Sequence, residues 1–236
     1  MPNASPKIIK DENRIATLHQ LLLLDTGAEE AFDRLTKLAS KIIGAPVSLV
    51  SLVDANRQYF KSMVGLPEPW ASARETPLTH SFCQHVVALG KPLVIEDARK
   101  NPLVHDNLAI PDMNVIGYLG IPISTSDGTG LGSFCVIDDK PRKWTDDEIY
   151  IMEELARAVM TEIELRAEIL YRKTIEDELL EAQSVLKARN MQMQRVVHLT
   201  ESTVGYTINA VERGADGQEI LVYLQSAQES LAKAIG

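Results

Sequence analysis

The chain has 236 residues, 45% hydrophobic and 24% charged, with 33 acidic against 24 basic side chains and a formal net charge of -9. That composition suits one globular domain with a smaller appended element and excludes collagenous, disulfide-scaffold and wholly disordered classes. The acidic balance argues against a nucleic-acid partner, the shortness of its apolar runs, such as Leu21 to Leu24, against a membrane span, and two cysteines, Cys83 and Cys135, against a disulfide framework or a Cys-only zinc site.

Residues 1–10 carry two prolines and no apolar period, which predicts a flexible tail. From Asp11, Ile15, Leu18 and Leu22 mark one side of a helix ending near Asp25. Thr26-Gly27-Ala28-Glu29 has the capping-box spacing and opens a second helix in which Phe32, Leu35, Leu38, Ala39 and Ile42 follow at helical spacing, closed by Gly44 and Pro46. Residues 47–53 and 58–64 alternate around Asp54-Ala55-Asn56 and predict a β-hairpin. After a proline-rich loop, Thr79 is placed to cap a short helix that runs through Val86 and stops at Gly90. A buried strand over 92–96, an irregular crossing segment over 97–114, and a second hairpin over 116–123 and 130–137 come next.

Thr145-Asp146-Asp147-Glu148 repeats the capping-box spacing, and no proline occurs beyond it. A helix of about 65 residues would reach roughly 100 Å. Leu155, Val159 and Ile163, then Leu179, Ala182, Leu186, Arg189, Met193 and Val196, recur at three- and four-residue steps, the second group heptad-like. Such a stripe left bare to water is unfavourable, so parallel homodimerisation through this helix is expected. Arg213-Gly214-Ala215-Asp216-Gly217 breaks the helix, and Ile220, Leu224, Ala227, Leu231 and Ala234 define a last amphipathic helix, giving a helical hairpin able to pair as a four-helix bundle.

Several separated motifs, in order, resemble the GAF domain of bacterial signalling proteins, as found at the front of sensor histidine kinases, diguanylate cyclases and regulatory phosphatases. They are Leu23-Leu24-Asp25-Thr26, Phe32-Asp33-Arg34-Leu35-Thr36, the run Val50 to Ser62, Ser81-Phe82-Cys83-Gln84-His85, and Leu131 to Asp138. The resemblance implies an α+β fold: a central antiparallel sheet flanked by helices, with a small-molecule pocket on one face. It divides the chain into a tail (1–10), a GAF domain (11–165), a coiled-coil signalling helix (166–196) and a C-terminal helical hairpin (197–236) resembling a degenerate histidine-kinase dimerisation domain. It also places Arg57, His80, Ser81, Cys83, His85, Tyr118 and the segment 97–114 around the pocket, where they would hold a ligand or fill the space themselves.

The departures narrow the reading. The Asn-Lys…Phe…Asp-Glu signature of cyclic-nucleotide members is missing; Gln84 separates Cys83 from His85, unlike the Cys-His pair of bilin-binding members; two thiols do not reproduce the cysteine set of the free methionine sulfoxide reductases of this fold. Cys83 and His85, two positions apart, point about 200° away from each other on a helix and form no thiol–imidazole pair by spacing. No P-loop, kinase ATP-binding boxes or cyclase signature occurs, which points away from an autonomous catalyst. The expected protein is a homodimeric cytoplasmic sensor that couples an unidentified small molecule to a helical element docking a signalling partner, with no metal, membrane or nucleic acid. Two alternatives stay open: phosphotransfer with His198 as phosphoacceptor and Glu201 one turn away, and a thiol-dependent enzyme in the pocket.

Overall fold

A computed structural model describes residues 4–235. It separates into two units, one ending at Ile169 and the other beginning at Leu170. The first is built on a six-stranded, wholly antiparallel sheet in the order β3-β2-β1-β6-β5-β4. Its strands are β1 (Val47–Val53), β2 (Arg57–Val64), β3 (Glu75–Pro77), β4 (Leu93–Ile95), β5 (Gly117–Ser124) and β6 (Gly130–Asp138).

Period-two alternation divides this sheet into two buried faces. Val50, Leu52, Tyr59, Leu119, Ile121, Phe134 and Val136 pack under α2 (Glu12–Gln20), α3 (Glu30–Ile43) and the start of α7 (Asp146–Glu212), whose Met152, Ala156, Val159 and Ile163 point inward. On the other face, Leu49, Val53, Phe60, Tyr118, Cys135 and Ile137 are covered by α1 (Pro6–Ile9), α5 (Cys83–Leu89), α6 (Ala109–Met113) and the rest of the 97–114 segment. A four-residue helix, α4 (Trp70–Ala73), lies in the β2–β3 connection.

Both expected hairpins form. Gly44 ends α3 at a φ of +69°, the left-handed geometry that favours glycine. The Thr145 box also closes: the Thr145 N–H donates to Glu148 Oε2 at 2.8 Å, and the Glu148 N–H donates to Thr145 Oγ1 at 3.2 Å.

Four local expectations fail. The segment expected to be a flexible tail forms a helical turn at Pro6–Ile9 with Ile9 buried, and the Ala4 N–H donates to Gln84 Oε1 at 2.8 Å; residues 1–3 lie outside the described residues. Helix α2 stops at Gln20, and Leu22, expected inward, turns outward at a φ of +50° while Leu23 is buried in its place. Thr26 and Glu29 make no capping box: the Thr26 hydroxyl donates to Leu23 O, and Glu29 is taken by Lys61 and Arg166. Thr79 does not cap α5; Ser81 Oγ receives the Gln84 N–H at 3.1 Å instead.

The second unit holds the remainder of α7 and α8 (Gly217–Ile235). Asp216 caps α8 by accepting the Glu219 N–H at 2.8 Å, the Tyr206 and Tyr223 rings stack at 3.7 Å, and Ala210 is buried between the helices. The expected helical hairpin is therefore present. Leu179, Leu186 and Met193 are 56%, 60% and 64% exposed.

Candidate functional site

Under the 97–114 segment lies a small cavity bounded by side chains from the sheet and from the layer that covers it. The sheet contributes Leu49, Gln58, Tyr118, Cys135 and Ile137; the covering layer contributes His80, Phe82, Cys83, Ala109, Met113 and Val115. Its volume is about 20 Å³, space for a single water. The pocket is thus filled by its own walls, and an organic ligand can enter only if the cover moves. A larger concavity of about 700 Å³ on the opposite face, bordered by Pro122, Arg157 and Met160, is an open groove that touches none of these groups.

The polar groups at the cavity form one chain. Cys83 Sγ lies 3.3 Å from the Tyr118 hydroxyl and 3.9 Å from Cys135 Sγ, and the Tyr118 hydroxyl lies 3.3 Å from Ser133 Oγ. Tyr118 reaches this position because Gly120, two residues along the same strand, has no side chain: a Cβ there would sit 2.3 Å from the tyrosine oxygen and 2.6 Å from its ring. Burial pushes the Cys83 thiol up, but its polar surroundings, Cys135 first and the Tyr118 hydroxyl with it, outweigh burial and bring it down to about 7. Burial holds Cys135 and Tyr118 well above their ordinary values.

Of the six positions expected around the pocket, His80, Cys83 and Tyr118 line it. His80 is oriented from both sides, Nε2 lying 2.9 Å from Asp112 Oδ2 and Nδ1 3.0 Å from Thr79 Oγ1, with the Trp70 ring at 5.0 Å. Ser81 is one layer back: its hydroxyl donates to Gln58 Oε1, and its carbonyl accepts from Gln84 Nε2 at 2.9 Å and Asn107 Nδ2 at 3.2 Å. His85 faces away from Cys83, as their spacing requires, and borders a separate hollow beside Ala4 and Leu103.

Arg57 is a correction, because it belongs to the other face of the sheet. Its guanidinium pairs with Asp25 at 2.6 Å and Glu75 at 2.5 Å, and these carboxylates raise its pKa further. Alternation turns its neighbour Gln58 toward the cavity instead.

Sequence reasoning missed Gln58, Gln84 and a buried charge cluster. Lys61 is an extra residue in β2: Val50 pairs with Ser62 and Ser51 with Phe60, so Lys61 has no partner in β1. The bulge places Lys61 on the helix side, 1% exposed, donating to Glu29 at 2.5 Å, Thr26 Oγ1 at 2.6 Å and Gly27 O at 3.1 Å. Arg166 of α7 binds the same carboxylate through Nε at 3.0 and 3.1 Å and donates to Leu21 O at 2.9 Å. Burial alone would raise Glu29, but Lys61 and Arg166 outweigh it and hold it below the ordinary glutamate value. Arg14 is the other hidden cation, donating to Ile9 O, to Val53 O at 2.7 Å and to Gly130 O at 3.2 Å. The signal for both was available only as a cation inside an apolar pattern.

His198 and Glu201 are exposed on α7 in the second unit, far in sequence from these groups. Among the described residues, no group of three His, Cys, Asp or Glu could hold a metal ion, and no helix is long and apolar enough to cross a membrane.

The GAF domain family model matches residues 27–163. A cyclic di-GMP phosphodiesterase of Pseudomonas aeruginosa is 35% identical over 164 residues, 68% of this chain and 27% of that protein, so the chain spans about a quarter of that relative's length. Among solved structures, a domain of a two-component sensor histidine kinase protein from Sinorhizobium meliloti superposes with a TM-score of 0.50 at 21% identity, over 63% of this chain and 99% of that one. The GAF domain of an Acinetobacter phosphoenolpyruvate-protein phosphotransferase superposes at 0.49 with 15% identity, over 65% and 93%.

Proposed function

This chain belongs to the GAF domain family, and from that premise we propose that it is a homodimeric sensor coupling the state of the closed cavity to a helical output element that docks a signalling partner. The observation that carries the reading is the exposure of Leu179, Leu186 and Met193, 56%, 60% and 64%, at seven-residue intervals on α7. A helix in water does not keep such a stripe bare, and a second copy laid in parallel register covers it with the same residues.

The cavity supplies the input. At about 20 Å³ it admits a small molecule only when Ala109 and Met113 of α6 withdraw, so binding and displacement of the cover are one event. The hydrolytic activity of the Pseudomonas relative is not assigned to this chain, because the alignment covers only 27% of that protein.

Native mass spectrometry of the full chain tests both parts. A dimer is expected, converted to monomer by Leu186→Glu with Met193→Glu, and a retained or added small molecule is expected to raise exchange at amides of the 97–114 segment. A monomer at micromolar concentration overturns the coiled-coil reading. The phosphoacceptor alternative draws on one feature, the exposure of His198 with Glu201 three residues on. It requires an acid-labile phosphate that disappears in His198→Gln.

A further inference from the structure

The two cysteines of this chain, Cys83 and Cys135, are 52 positions apart in sequence, yet their sulfurs lie 3.9 Å from each other in the core. Cys83 is the first residue of α5 and Cys135 sits in the middle of β6, so the covering layer and the sheet each present one thiol to the same point. Both are buried, at 2% and 0% exposure. The cavity touches both, and its single-water volume leaves one small space against the sulfurs in an otherwise packed wall. Polar groups also gather here: the Tyr118 hydroxyl contacts Cys83 and, through its second contact, Ser133. A merely space-filling thiol needs none of these.

We propose that Cys83 and Cys135 form a peroxide-reactive dithiol that closes to an intramolecular disulfide across the cavity. Its oxidant is hydrogen peroxide, which with two oxygen atoms exceeds the single-water space and reaches the sulfurs as the cover over the cavity moves. In the first step the Cys83 sulfur attacks one peroxide oxygen, the O–O bond breaks, and the departing hydroxide leaves as water with the proton of the Cys83 thiol. Cys83 is then a sulfenic acid, oxidised by two electrons. In the second step the Cys135 sulfur attacks Cys83 Sγ, the S–O bond breaks, and the leaving hydroxide takes the Cys135 proton as a second water. Two thiols thus lose two hydrogens, and one peroxide becomes two waters.

A disulfide is about 2.05 Å long, so the sulfurs must approach by about 1.9 Å. The two sulfurs also divide the labour, since the attacking group must be the more acidic thiol and the resolving group need only be adjacent. Cys83, whose sulfur has the Tyr118 hydroxyl 3.3 Å away to donate to a developing thiolate, is the attacking group, and Cys135, 3.9 Å from that sulfur, is the resolving one. Closure would tie α5 to β6 and remove the contact that holds the Tyr118 hydroxyl, changing the wall of the cavity itself. The chemistry is independent of ligand binding and dimerisation: either can fail with the thiols still reactive.

The test uses the full-length wild-type chain. After hydrogen peroxide treatment at neutral pH and an acid quench, the protein is denatured and its thiols are counted with N-ethylmaleimide. Alkylatable thiols should fall from two to none, the intact single-chain mass should drop by two hydrogens, and dithiothreitol should restore both. In Cys135→Ser, dimedone should trap a sulfenic acid on Cys83, and Cys83→Ser should show no comparable trapping on Cys135. Two thiols still alkylatable after a dose that oxidises free dithiothreitol would overturn the proposal. So would a disulfide found only between chains, or sulfinic acid as the only product in the wild type.

Discussion

The Lys61–Glu29–Arg166 cluster makes an asymmetric prediction that a count of its contacts would not. Glu29→Gln keeps the size and one acceptor but removes the charge facing a lysine that is 1% exposed. Breaking a buried ion pair by removing one partner costs about 3–5 kcal/mol, and because the Glu29 side chain is 36% exposed we reduce this to about 2 kcal/mol. Lys61→Met removes the buried charge itself, keeps the stem and leaves Glu29 bound to Arg166, at the expense of the donors to Thr26 Oγ1 and Gly27 O, both near the surface, so its cost should be about 1 kcal/mol. The first substitution should lower the melting temperature by roughly 4–8 °C and the second by about half of that. Fluorescence of the chain, with Trp144 in the helix-side core, tracks the unfolding. The pH dependence supplies a second signature. Glu29 has a folded pKa below its unfolded value, so its contribution is complete above about pH 4.3 and disappears as the pH falls through the folded value. The stability gap between wild type and Glu29→Gln should therefore be steady near neutrality and shrink below pH 4. A Lys61→Met variant less stable than Glu29→Gln, or a gap unchanged at pH 3, would refute the reasoning.

Three further outcomes rest on close approaches and hidden donors. Gly132→Ala places a Cβ 1.9 Å from Ser51 O between β6 and β1, which should cost about 4 kcal/mol or more and show as loss of folded protein in a denaturation series. Gly120→Ala drives the Tyr118 ring off the thiols and should cost about 2 kcal/mol, whereas Tyr118→Phe, which removes only the hydroxyl, should cost about 1 kcal/mol; equal midpoints in urea would contradict this account of Gly120. Arg14→Met leaves the carbonyls of Ile9, Val53 and Gly130 without their donor and should cost about 2–3 kcal/mol, together with faster amide exchange in the N-terminal turn.

The sheet and its hairpins were legible because alternation and turn residues are local signals: Val47–Val53 and Gly130–Asp138 declare themselves within a few residues of their bounds. The Thr145 box was legible for the same reason, and the identical spacing at Thr26 misled because tertiary structure offered Glu29 a stronger partner than a backbone amide. Arg57 was misplaced by one residue. A resemblance delivers a neighbourhood, but only strand register decides whether Arg57 or Gln58 faces the cavity. Lys61 showed only as a cation inside an apolar pattern, and the bulge that leaves it without a β1 partner is a mismatch between two strands that neither strand shows alone. The closeness of Cys83 to Cys135 is likewise a property of the β6–α5 layer contact and of no spacing in the sequence.

These placements also join the cavity to α7. The two occupy opposite faces of the same sheet, connected through the strands and, at the end of β6, through Arg142, which pairs with Asp138 of β6 and Glu148 of α7. On β6 the faces alternate residue by residue: Cys135 turns to the cavity, and Phe134 and Val136 turn to the core beneath α2, α3 and α7. A change in the wall at Cys135 or Tyr118 acts on α7 by shifting strands whose reverse side packs on Met152, Ala156, Val159 and Ile163. Arg166 comes one turn after Ile163, its guanidinium bound to Glu29 and to the carbonyl of Leu21. It is the last charged anchor of α7 to this unit that also reaches the sheet, through the carboxylate it shares with Lys61 of β2. The shared Glu29 carboxylate is the point where strand and helix meet, since β2 and α7 each hold it by one cation.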